Sequence, residues 1–147
     1  NYAGQPWMTQ RRVRQIMDVW YGDGPLGYCG DEDYGEMASW YVLSAMGFYT
    51  VAPGRPVYDI GCPLFEKSTI DLGGGKTFTV EAPDVSAQNK YIQSATLNGR
   101  PIDRPWFTHE ELQQGGTLFL QMGPRPNRSW GANPEKMPFT DHDAPKN

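Results

Sequence analysis

No run in the 147 residues approaches the 18 to 20 apolar positions that a membrane-crossing helix needs, so no transmembrane span is expected. An excess of positive charge is missing too. Thirteen Lys and Arg stand against 17 Asp and Glu, a net charge of -4, and that balance repels a phosphate backbone; nucleic acid is excluded as an expected partner. Histidine occurs only twice, at His109 in THEE and His142 in TDHD, each far in sequence from either cysteine. Zinc ligation and a nucleophilic triad therefore both lack a signature. The two cysteines, Cys29 and Cys62, would close a loop of moderate length if bridged, and spacing alone leaves the pairing open. The opening NYAGQPW has neither a basic nor an apolar leader segment, so no secretory signal is visible in it. GGGKT, at residues 73–77, lacks the first glycine of a phosphate-binding loop and lies between strand patterns, which makes it a hairpin.

Turn formers and aromatics are abundant: 17 Gly, 13 Pro, five Trp, eight Tyr and six Phe. Residues 8–21 place Val13, Ile16, Met17 and Trp20 at helical spacing, with the basic trio Arg11, Arg12 and Arg14 read as a solvated face. GDGPLGYCG at 22–30 forces a turn. A second helix follows up to Gly47, with Asp33 in the cap role and Glu36 three residues on. Met37, Trp40, Tyr41 and Ser44 share one of its faces, and Ala38, Val42, Leu43, Ala45 and Met46 make the others apolar, so burial on most sides is expected.

After about residue 55 the period becomes 2. Strands are expected at 57–60, 68–72, 77–81, 91–97 and 117–121, with Gly73 to Gly75 as one hairpin loop and Asn98-Gly99 as a type I′ turn. This number of short strands suggests a sandwich. His109 before Glu110 and Glu111 begins a short helical turn, and the proline-rich stretch from 123 onward is an extended tail. The organisation expected is thus helices over 1–54, a β-rich region over 55–122 and a tail over 123–147.

The densest chemistry is the acidic run Asp31, Glu32, Asp33 and Glu36 at the entry to the second helix. Carboxylates there are accounted for by the free N–H groups and dipole of the helix. Two of them, two positions apart in a tight turn, are also suited to share one water, one taking its proton and the other orienting it. An inverting glycosidase needs this on one side of a sugar ring and a protonated carboxyl on the other. A calcium loop of the EF-hand kind is not matched beyond Asp31 and Asp33. Trp7, Tyr28, Tyr34, Trp40 and Tyr41 are candidates to stack on sugar faces, with packing the competing role for the mid-helix pair Trp40 and Tyr41.

The blocks NYAGQPW, GDEDYGEMASWYVLSAMGFY, YDIGCPLFEKSTI and YIQSATLNGRPI, in this order, resemble the C-terminal part of glycoside hydrolase family 92, calcium-dependent inverting α-mannosidases, over residues 1–131. The resemblance implies an α+β fragment: the last helices of an (α/α)6-barrel catalytic domain followed by a β-sandwich-like C-terminal region. It implies part of an exo-acting enzyme that removes terminal α-linked mannose from a glycan, with Asp31 and Asp33 matching the family's two aspartates. Asp33 is then the base and Asp31 the assistant, or the reverse. Gln5 and Trp7, in the AGQPW block, are implied substrate contacts by proximity. The general acid, a glutamate, is expected upstream, in a missing part of the same enzyme that is this chain's implied partner. Calcium is implied for the whole enzyme without a ligand named here. The implied location is the bacterial periplasm or the cell exterior. A non-catalytic carbohydrate-binding or interaction module is the competing reading of the β-rich half.

Overall fold

The structure is a computed structural model and describes residues 1–138. Among the described residues three α-helices and eight strands alternate in the order α1 (Pro6–Trp20), α2 (Glu36–Met46), β1 (Phe48–Tyr49), β2 (Val57–Ile60), β3 (Lys67–Gly73), β4 (Lys76–Glu81), β5 (Tyr91–Leu97), β6 (Arg100–Ile102), β7 (Trp106–Thr108), α3 (His109–Gln114) and β8 (Gly116–Gly123). A 3-10 turn at Pro134–Lys136 follows. None of these helices is long and apolar enough to cross a membrane.

The strands form two sheets. A three-stranded sheet runs β1-β2-β7, all antiparallel, and a five-stranded sheet runs β3-β4-β8-β5-β6 with one parallel pairing, β4 beside β8. The turn geometry follows from its residues. Asn98 (φ 51°) and Gly99 (φ 76°) occupy the left-handed positions that a type I′ turn requires between β5 and β6. Thr108 begins α3 with a capping box: its hydroxyl accepts from the Glu111 backbone N–H, and the Glu111 carboxylate accepts from the Thr108 N–H.

One buried core cluster draws residues from both sheets. Phe107 of β7 stands 5.3 Å, centroid to centroid, from each of Phe48, Tyr58 and Phe78, and so joins both sheets through one ring. Ile60, Ile92, Leu118 and Leu120 complete it, fully buried. Trp130 of the C-terminal segment is buried against this cluster, its indole N–H donating to the Ile102 carbonyl at 3.0 Å, so the chain after β8 lies along the sheet at least to that ring.

The helices depart from expectation in how little they bury. Of the predicted apolar face of α1 only Met17 is buried; the helix instead seats Pro6 and Gln10, and the Gln10 side-chain oxygen accepts from the Ile92 backbone N–H at 3.0 Å. Its basic trio divides. Arg11 and Arg12 are exposed, whereas Arg14 is largely covered and paired with Asp18 at 3.0 Å. In α2 only Ser44 and Ala45 are buried and Val42 is open to solvent, which corrects the expectation of a helix covered on most sides: among the described residues its main element contacts are β1 and α1, and Leu43 and Met46 reach the core only in part.

Candidate functional site

The acidic run sits in the loop between α1 and α2, and its backbone explains its exposure. Asp33 (φ 54°), Tyr34 (φ 57°) and Gly35 (φ 100°) are consecutive left-handed residues, a conformation that non-glycine side chains adopt at a cost of roughly 1–3 kcal/mol each. The helix starts at Glu36, and Gly35 before it holds the cap position without a side-chain bond. The expected cap by Asp33 is therefore corrected. Glu32 replaces it, one carboxylate oxygen accepting from the Gly35 N–H and the other from the Ala38 N–H at 3.1 Å. Glu32 thereby meets the orphan donors of the first turn. Asp31 and Asp33 are left exposed, and neither side chain hydrogen-bonds to a described residue.

Behind this turn lies an aromatic cluster built on Tyr21, the residue after α1. Its ring stacks on Trp40 at 5.5 Å and on Tyr41 at 4.8 Å, and meets Tyr28 edge-on at 6.0 Å. Its hydroxyl donates to the Met37 carbonyl at 3.3 Å, which ties the end of α1 to the start of α2. Burial among these rings, then the nearby Cys29 thiol, push the phenol above its ordinary range. An open hollow of about 500 Å³ is bounded by Tyr21, Tyr28, Tyr41, Asp23 and the glycine-rich loop.

Gln5 and Trp7 lie elsewhere. Gln5 is the exposed residue before α1, and Trp7 is half-buried in its first turn with the Arg128 guanidinium 5.3 Å over its ring. The acidic loop belongs to the other end of α1, which at fifteen residues is about 22 Å long. The structure thus brings Asp31, Asp33, Tyr28, Trp40 and Tyr41 to one region and leaves Gln5 and Trp7 outside it. Tyr34, the remaining aromatic candidate, is fully exposed in the turn itself.

The other groups singled out in the sequence have structural surroundings. Both cysteines are free thiols, Cys29 exposed and Cys62 buried. Burial pushes Cys62 up to about 11, with the neighbouring Arg14 acting in the opposite direction. His109 Nδ1 is 2.9 Å from the Tyr58 hydroxyl at the start of α3, whereas His142 lies outside the described residues. Asp59 is a buried carboxyl that accepts from the Asn1 amide at 3.0 Å and the Tyr2 hydroxyl at 3.1 Å; burial raises it, and these hydrogen bonds restrain the rise. Among the described residues no three His, Cys, Asp or Glu side chains converge to hold a metal ion.

The capping role of Glu32 and the central place of the Tyr21 ring are what sequence reasoning missed. Glu32 stands between the two aspartates with no periodic mark of its own, and Tyr21 reads as the frayed end of an amphipathic helix. The glycines at 22 and 24 were the available signal that the chain doubles back there and returns the ring onto α2.

Comparison with known proteins adds to this geometry. The model of the glycosyl hydrolase family 92 catalytic domain matches residues 1–124. A curated protein of Arthroderma benhamiae, described as an uncharacterized secreted glycosidase, is 38% identical over 141 residues, 94% of this chain and 18% of that protein. The structure of a family GH92 inverting mannosidase from Bacteroides thetaiotaomicron VPI-5482 superposes with a TM-score of 0.87 at 51% identity, over 93% of this chain and 19% of that one. That of a family GH92 α-mannosidase from Bacteroides thetaiotaomicron gives a TM-score of 0.88 at 32% identity, over 95% and 19%, and its complex with mannoimidazole gives 0.89. The chain spans about a fifth of the length of these relatives.

Proposed function

This chain belongs to glycosyl hydrolase family 92, and from that premise we propose that it is the C-terminal part of an exo-acting α-mannosidase in which Asp33, assisted by Asp31, activates the attacking water. The observation that carries the assignment is the left-handed turn at Asp33 and Tyr34. Glu32 has taken over the capping bonds, so a strained backbone presents a carboxylate with no structural bond of its own. A group held this way is suited to accept a proton from water at the instant that the water oxygen attacks the anomeric carbon. Asp31, two residues away, orients the same water.

Inversion needs a second carboxyl, protonated, on the opposite face of the sugar at about 6.5–9.5 Å to give its proton to the departing oxygen. No described residue is assigned that role, and we place it in the preceding part of the enzyme. The same part would supply the rest of an (α/α)6 barrel, to which α1 and α2 contribute, while the two sheets belong to a sandwich-like C-terminal region. Calcium is proposed for the whole enzyme only. Gln5 and Trp7 are proposed as glycan contacts remote from the water. Terminal α-1,2-linked mannose of N-glycans is the substrate proposed, and a periplasmic or secreted bacterial location accords with a substrate outside the cell.

The test is mannose release from a panel of α-linked mannobioses by the intact enzyme and its Asp33→Asn variant, with calcium and with a chelator. Loss of a general base lowers turnover by about 10²–10⁴-fold, and that loss is expected with the melting temperature unchanged. Activity within about tenfold of the parent overturns the assignment and moves the reading to a non-catalytic carbohydrate-binding or interaction module.

A further inference from the structure

The hollow beside the acidic turn has a construction that the water-activating role of Asp31 and Asp33 leaves unexplained. Its rim is a closed loop: the Gly22 N–H donates to the Gly27 carbonyl at 3.0 Å, pinning the six residues 22–27 into a ring of backbone. Only glycine fits at 27, because a Cβ there would run into the Gly22 carbonyl oxygen. Its wall is aromatic. Tyr21 and Tyr41 are stacked on one another and fixed by Trp40, whereas Tyr28 meets Tyr21 only through an edge and keeps 44% of its surface open. Asp23, also on the rim, is an exposed carboxylate. The hollow is about 500 Å³, within the range of small-molecule sites, and combines ring faces with a carboxylate that can accept two hydroxyl protons.

This combination suits a pyranose. The C–H-rich face of a sugar packs on an aromatic ring, and its vicinal hydroxyls donate to a carboxylate. Tyr28 is three residues from Asp31, a reach of at most about 10 Å along extended chain. Asp31 and Asp33 do not line the hollow themselves, so a sugar there is not the one whose bond is attacked. We propose that the Tyr21–Tyr28–Tyr41 hollow is a binding subsite for a second hexopyranose ring of the glycan, with Tyr28 as the platform and Asp23 as the hydroxyl acceptor. The inference rests on the mannosidase reading and extends it from the cleaved bond to the length of substrate recognised.

The test measures equilibrium binding by calorimetry in the intact enzyme carrying Asp33→Asn, so that no ligand is consumed. The probes are α-linked mannotriose and free mannose. Tyr28→Ala is expected to lower the ratio of mannotriose affinity to mannose affinity by about 3- to 10-fold, Asp23→Ala to lower it as well, and Tyr28→Phe, which keeps the ring, to restore it. A ratio unchanged by Tyr28→Ala while both sugars bind overturns the subsite and leaves the mannosidase reading intact. Failure of both sugars to bind the enzyme with Tyr28 in place overturns both readings together.

Discussion

The two cysteines show how one residue type receives two chemistries from its surroundings. Cys62 follows β2, packs into the core and has its thiol pushed up to about 11 by burial, while Cys29 lies exposed in the glycine-rich loop. The nucleophile is the thiolate, so at pH 8 roughly one Cys62 in a thousand is in the reactive form even before access is considered. Alkylation of the native protein with iodoacetamide at pH 8 should therefore modify Cys29 alone, with Cys62 labelled only after denaturation. Mass spectrometry of the digested protein reads this directly, and native labelling of Cys62 at the rate of Cys29 would contradict the burial assigned to it. A bridge between the two is excluded in the same experiment.

Among the elements, α3 depends most visibly on a few named bonds. Thr108 and Glu111 cap each other, and Glu111 is also paired with Arg104, whose guanidinium lies 4.3 Å over the Trp106 ring. Thr108→Ala should lower stability by about 1 kcal/mol, read from chemical denaturation. Burial alone would raise the Glu111 carboxyl, but the hydrogen bonds from Arg104 and Thr108 outweigh it and hold it below its ordinary value. A depressed carboxylate contributes stability that is present above its unfolded value, near 4.5, and is lost as the pH falls through the lower folded value. Glu111→Gln should accordingly be less stable than the parent at pH 7, with the gap closing below about pH 4.5; a gap constant from pH 7 to pH 3 would remove Glu111 from that role.

This helix was legible because His109 followed by Glu110 and Glu111 is a local signal, and the Asn98-Gly99 turn and the strands at 57–60 and 91–97 were legible for the same reason; the Thr108–Glu111 box that caps it was not read. The strands that escaped, β1, β6 and β7, have two or three residues, too few to show a period of 2. Pro101 within β6 also argues against a strand, and is admitted because β6 is the edge of its sheet. The parallel contact of β4 with β8 pairs segments some 40 residues apart, which no local pattern encodes. At the acidic turn the residues were visible and the backbone was not. Asp33 before Glu36 reads as a cap, and only three successive left-handed residues transfer that task to Glu32.

For the molecule as a whole, the uneven burial of its two halves sets its behaviour. The sheets enclose a continuous aromatic and aliphatic core, whereas each helix also keeps large apolar residues in solvent: Ile16, Val19 and Trp20 recur at i, i+3 and i+4 on α1, Val19 67% and Trp20 56% exposed, and α2 adds Val42 at 54%. An apolar helical face of this kind seeks cover, and in the proposed enzyme the preceding barrel helices supply it. Produced by itself, the 147-residue chain has only other copies to use. Its sedimentation coefficient should rise with concentration, and the double substitution Val19→Lys with Val42→Lys should hold it at the monomer value while leaving the melting temperature nearly unchanged, since neither side chain contributes to the core. A parent chain that sediments as a monomer throughout the micromolar range would show that this face is stable in water as it stands, and would remove the apolar surface as a reason to place further helices against it.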